Sequence, residues 1–99
     1  MKYQQGDVII KTVDYEIKGE KLDHLTLAEG EVTGHSHRIV EGLGQLIMMD
    51  KMMHLQIFSE TAKLKHEEHN EIILPKGNYS VRIVREYDPF EKEIRQVQD

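Results

Sequence analysis

Two pairs of histidines stand out in this chain, His35 and His37 two residues apart and His66 and His69 three apart, and the 99 residues contain no cysteine. A neutral imidazole offers one lone pair to a transition-metal ion, so converging imidazoles can hold one ion between them. Carboxylates accompany both pairs: Glu41 lies four residues beyond His37, and Glu67 and Glu68 separate His66 from His69. A glutamate can add an oxygen to the coordination shell or take a proton from bound water. The expected metal ligands are therefore His35, His37, His66 and His69, with Glu41, Glu67 or Glu68 completing the site or acting as a base. Zn(II) is the ordinary occupant of a His-rich site, and Ni(II), Mn(II) and Fe(II) also accept nitrogen and oxygen donors.

Positioning decides whether these groups meet. On an extended strand side chains alternate, so His35 and His37 share a face with Thr33 and Ile39, about 7 Å apart along the chain. Gly34 between the strand and what precedes it lets the backbone bend. His66 and His69 would point to opposite faces of a straight strand, so either the chain bends at Glu67-Glu68 or only one of them joins the site. A bend is compatible with the absence of any apolar residue from His66 to Glu71. In the straight alternative, Glu68 sides with His66 and Glu67 with His69. His24 and His54 stand alone inside apparent strands and read as structural or exposed. Two further readings of the clusters are unrelated surface histidines and a metal-free pocket of hydrogen-bonding and acid–base groups.

Other chemistries are poorly represented. Gly42-Leu43-Gly44 lacks the length and the following Lys-Ser/Thr of a phosphate loop. Ser36 and Ser59 lack a nucleophile-elbow context, and His66-Glu67-Glu68-His69 has a spacing of three where the zinc-protease helix needs four. Arg38 and Arg82 could hold a small anionic ligand through parallel hydrogen bonds, or simply form solvated pairs with neighbouring glutamates. Met48, Met49, Met52 and Met53 surround Asp50-Lys51; they can cap the core or give an adaptable surface for a homodimer or another protein partner.

Apolar residues at 38% and charged residues at 31% describe one globular domain. The formal charge of −5 opposes broad nucleic-acid binding. Without cysteine there are no disulfides, and the absence of an apolar leader or long apolar run makes the cytoplasm the expected compartment. Short apolar runs punctuated by Gly, Asp and Pro predict an all-β domain, a small antiparallel barrel or sandwich of about seven or eight strands. These runs are Val8–Val13, Leu25–Leu27, Leu43–Met49, Met52–Phe58, Ala62–Lys65, Ile72–Leu74 and Tyr79–Tyr87. Leu43–Met49 and Met52–Phe58 predict a hairpin about Asp50-Lys51, and Pro75-Lys76-Gly77-Asn78 predicts a turn. After Asp88-Pro89, Phe90, Ile94 and Val97 fit one short helix or a last strand.

Gly30-x4-His35-x-His37-x3-Glu41, followed by Pro75-x-Gly77, resembles the two motifs of the cupin superfamily of small jelly-roll barrels. That resemblance implies a divalent metal inside the barrel held by His35, His37 and Glu41. It departs at Ser80, where the cupin pattern has its third histidine, and the Gly30 to His35 gap is one residue short. Any third imidazole must then come from His66 or His69. End to end, the chain also resembles a group of uncharacterised proteins of about this length from bacteria and their phages. The shared pattern is Gln5-Gly6-Asp7-Val8, Gly30 to His37, His66-Glu67-Glu68-His69, and Leu74 to Tyr87; it supplies no activity, and the alternative to a metal-binding protein is a non-enzymatic phage or host accessory module that binds a protein partner.

Overall fold

The computed structural model describes residues 1–30 and 34–84. Residues 85–87 of the expected last strand, the alternative helix or strand after Pro89, and Thr33 lie outside them. Eight strands form one curled, all-antiparallel sheet: β1 Lys2–Gln5, β2 Val8–Thr12, β3 Glu20–Lys21, β4 Thr26–Glu29, β5 Ser36–Glu41, β6 Gly44–Met49, β7 Met52–His66 and β8 His69–Ile83. This is the expected small all-β architecture, wrapped as a half-barrel, with no helix among the described residues. Accordingly none of these residues forms a helix long and apolar enough to cross a membrane.

The spine is the β7–β8 hairpin, two strands of 15 residues each. A straight strand of that length would reach roughly 46 Å, more than the 37 Å longest dimension of the molecule, so the pair must curl. It does so where the register shifts between Ile57 and Thr61 opposite Gly77 and Pro75. Here the sequence reading is corrected: Pro75-Lys76-Gly77-Asn78 makes no chain reversal but passes through as an irregularity inside β8. A proline, having no N–H to donate, is tolerated at such a bulge. The Tyr79 hydroxyl donates to the Pro75 carbonyl and pins it. Below the bulge β7 pairs with β6, above it with β5, so Met52–Phe58 and Ala62–Lys65 are one strand that changes neighbour.

The Asp50-Lys51 hairpin is present, with Met49 paired to Met52. Both turn residues have positive φ, 53° and 64°, the twist a two-residue hairpin requires and one that non-glycine residues adopt only at a cost. Inward-facing Val8, Ile10, Leu27, Ile39, Leu46, Leu55, Leu64, Leu74, Tyr79 and Val81 fill the concave face. Burying a side chain of this size contributes about 1.5–3 kcal/mol, which holds the curl against the unfavourable turn. The short strands β1 and β3 carried too few apolar residues to be recognised beforehand; β1 is completed by a two-residue turn at Gly6-Asp7.

Candidate metal centre

Register brings the histidines together. Arg38 of β5 faces Lys65 of β7, and Ile39 faces Leu64; the same register continued one residue sets His37 opposite His66. Across the Glu67-Glu68 turn, His66 pairs with His69. The three residues therefore sit on neighbouring strands β5, β7 and β8, and their rings draw together into a triangle, those of His37 and His69 being 5.8 Å apart. Ring centroids are 4.3 Å apart for His37 and His66 and 4.7 Å for His66 and His69, close to the ~4.8 Å between neighbouring strands. His35, two residues before His37, sets its ring 5.7 Å from that of His66. The spacing of three that looked awkward on a straight strand is the spacing a two-residue turn needs, because residues flanking such a turn are cross-strand partners on one face.

The turn is fastened to β5. The Ser36 N–H donates to the Glu67 carboxylate at 2.9 Å, and Arg38 pairs with the same carboxylate at 2.8 Å. The Ser36 N–H first, and Arg38 behind it, hold the Glu67 carboxyl down at about 2. Glu68 donates its backbone N–H to His66 Nδ1 at 3.0 Å, and its carboxylate stands 4.0 Å from His35 Nδ1. That His35 nitrogen is buried and has no hydrogen-bond partner among the described residues.

His37 and His66 are buried, His35 is half-buried and His69 is exposed. The cluster thus has a dry floor and a mouth at the hairpin tip. Burial, followed by the neighbouring His66 and His69, lowers the His37 pKa to about 4, against the opposing pull of Asp7 and Glu67. Its imidazole is neutral at pH 7, the form that binds metal. Beneath it lies Gln5, 2% exposed, whose Nε2 donates to the carbonyls of Leu64 at 3.1 Å and Asn70 at 3.0 Å. Its Oε1 is 2.9 Å from His37 Nδ1. Two glycines make room: a Cβ at Gly6 would lie 2.6 Å from His69 Nε2, and one at Gly30 would lie 2.9 Å from His35 Cβ and 3.1 Å from His66 Nε2.

Among the described residues the ligand atoms that converge are those of His35, His66 and Glu67, while His37 and His69 flank them. His35, His66 and Glu67 each bring a ligand atom within 4.8 Å of the other two. Ligand atoms around a tetrahedral Zn(II) stand about 3.4 Å apart, so side-chain rotations of an ångström or so would close the set.

Other expected site residues lie elsewhere. A register shift between Ile39 and Glu41 turns Glu41 to the outer face, where Lys63 meets it at 3.4 Å; Glu41 is corrected out of the site. Arg38 is beside the cluster but engaged by Glu67 and by the Ser36 carbonyl at 2.8 Å. Arg82 lies near the far end of β8 from His69, lining an open hollow of about 350 Å³ with Asp50, Lys51, Met52 and Met53, so the two arginines do not share an anion site. Of the four methionines, Met53 packs on the core, Met48 is paired beneath Glu20, and Met49 Sδ accepts the Lys18 N–H; Met52 is 45% exposed. His54 is buried and bonded to Tyr15. Gln5, Gly6 and Gly30 were not singled out as site residues beforehand, although all three fall within the recurrent Gln-Gly-Asp-Val and Gly30 to His37 segments.

Fold and site together define a small all-β domain carrying an imidazole cluster at one end of a half-barrel. The chain belongs to a family described as a domain of unknown function, DUF8820, whose match covers residues 4–84 and so contains Gln5 and all four histidines. No curated protein and no solved structure matches the chain.

Proposed function

We propose that this domain binds one divalent transition-metal ion through the imidazoles of His35, His37, His66 and His69, with Zn(II) the preferred occupant. The observation that carries the reading is the convergence of the His37, His66 and His69 rings from three strands, each within 5.8 Å of the other two, with His35 alongside. Four imidazoles drawn from two distant segments meet at one place, and a neutral imidazole offers the lone pair that a shared cation needs. The opening at the hairpin tip would let the ion exchange and leave a position for water or a small ligand. Glu68 is the carboxylate placed to act beside such a ligand; Glu41 is not. Of the motif that resembles the cupin pattern, this reading keeps His35 and His37, just before and at the start of β5, and takes its further imidazoles from the β7–β8 turn.

Elemental analysis of untagged protein, with Zn(II) titrated against a chromophoric chelator, tests the proposal. One metal per chain is expected, lost in His35→Ala/His37→Ala and kept in His24→Ala. Failure of the wild type to take up Zn(II), Ni(II), Mn(II) or Fe(II) would sink it. A second reading, homodimer or partner binding at the Met-rich hairpin, draws support from the hollow beside Met52. A change in sedimentation or partner capture in Met52→Glu, without change in metal content, would favour it.

A further inference from the structure

The hydrogen bonds around the buried imidazoles fix which ring nitrogen carries the proton. Leu64 and Asn70 present carbonyl oxygens to one end of the Gln5 amide, at 3.1 and 3.0 Å. Carbonyls only accept, so that end is the NH2, and the oxygen must face His37 Nδ1 at 2.9 Å. An amide oxygen also only accepts, so His37 Nδ1 carries the hydrogen and the Nε2 lone pair points away from Gln5. His66 is set the opposite way. Its Nδ1 faces the Glu68 backbone N–H at 3.0 Å, which only donates, so Nδ1 holds the lone pair and Nε2 the hydrogen.

On this basis, and resting on the metal reading above, we infer that Gln5 is a positioning residue that holds His37 as an Nε2 ligand. His66, by contrast, must give up the turn hydrogen bond to Glu68 to coordinate, whichever ring nitrogen it uses. Gln5 is suited to this task because it is itself held from two sides. Its two carbonyl partners lie beside the register shift between Leu64 and His66, where a side-chain donor replaces regular ladder bonding. The amide cannot flip without placing its oxygen against two carbonyl oxygens. A partner that orients a metal-bound imidazole and fixes its tautomer is worth about 10–100-fold in metal affinity.

The test is long-range 1H–15N correlation NMR on the metal-free, 15N-labelled protein near pH 7.5. His54 supplies an internal reference, since its Nδ1 lies 3.0 Å from the Met52 carbonyl and must carry the hydrogen. The expected pattern is Nδ1–H for His37 and His54 and Nε2–H for His66. Zn(II) should then perturb Nε2 of His37 while its Nδ1–H persists. In Gln5→Leu the single His37 tautomer should give way to a mixture, with Zn(II) affinity falling about 10–100-fold. In Gln5→Glu the carboxylate still accepts from Nδ1, so tautomer and affinity should be retained even as stability drops. A merely structural Gln5 would lower stability in both variants without that split in affinity. An Nε2–H tautomer for His37 in the wild type overturns the inference, and this measurement needs no variant to fold. A folded Gln5→Leu that binds Zn(II) like the wild type overturns it as well. Wild-type protein that takes up no Zn(II) refutes the metal reading itself, and with it the purpose given to Gln5, even where the tautomers are as assigned.

Discussion

Gly30→Ala should damage the metal centre without removing any ligand. The Gly30 N–H donates to the His35 carbonyl at 2.7 Å, drawing the end of β4 against the start of β5. A methyl group here would lie 2.9 Å from His35 Cβ, 3.0 Å from the His35 carbonyl oxygen and 3.1 Å from His66 Nε2. The first two atoms cannot swing away, because they belong to the backbone and to the root of a side chain. The entry to β5 must therefore move by a few tenths of an ångström, taking His35 with it, and the His66 ring must tilt. Overpacking of this kind costs typically 1–3 kcal/mol, and each kcal/mol lowers the melting temperature of a domain this size by about 4–8 °C. With two imidazoles displaced, Zn(II) affinity should fall about 10–100-fold, as when a ligand's support is lost. Gly34→Ala is the control. A Cβ there meets nothing within 4 Å, but φ is +86°, so strain of about 1–3 kcal/mol is expected with little change in affinity. Thermal melts of the metal-free proteins and chelator-competition titrations read both quantities. Wild-type affinity in a folded Gly30→Ala, or equal loss of affinity in both variants, would refute the packing account.

Acidification of the metal-free protein gives a second check. His37 has a pKa of about 4 in the fold against its ordinary 6.5, so the unfolded chain takes up the proton first and stability falls from pH 6.5 to 4. The full shift corresponds to about 3 kcal/mol; water at the mouth screens part of it, leaving roughly 1–2 kcal/mol. Glu67, at about 2 against 4.5, extends the loss from pH 4.5 down to 2. Urea midpoints that rise from pH 7 to 4 would contradict the first sign, and midpoints that rise from pH 4.5 to 2 the second. Tyr15→Phe removes the 2.9 Å bond to His54 Nε2 and leaves a buried nitrogen unpaired, at a cost of about 1–3 kcal/mol; Zn(II) affinity should not move, since the pair lies at the Met52 end of β7. Glu67→Gln weakens the link from the turn to Arg38 and Ser36, and should loosen His66 and His69 enough to lower Zn(II) affinity several-fold; unchanged affinity would show that β5 does not brace the turn.

The sequence was most informative where one face of a strand had to be apolar. Alternation in Tyr79–Ile83 and the paired runs about Asp50-Lys51 predicted both elements because burial enforces a period of two. It misled at Pro75-Gly77, since a bulge inside a long hairpin uses the same residues as a turn. The histidine spacing suggested a shared site but left open which of His66 and His69 would face it, because that depends on which strand pairs with which. Glu41 went astray for a related reason: a register shift one residue away reversed its face, and no local residue type announces such a shift. Gln5 was invisible as a site residue because its role comes from carbonyls 59 and 65 positions further along the chain.

The two-residue turn at Glu67-Glu68 has a consequence for how this centre could be lost over time. Insert one residue there and every histidine survives, and the buried residues of β8 keep its register, but the longer loop no longer sets His66 and His69 directly across a two-residue turn. A lineage can thus silence the centre by a change in length, with no ligand mutated and no charge altered. Deleting the extra residue would restore it in one step. Among descendants of such a chain, counting histidines would not distinguish those able to hold an ion from those that are not; measuring the turn would.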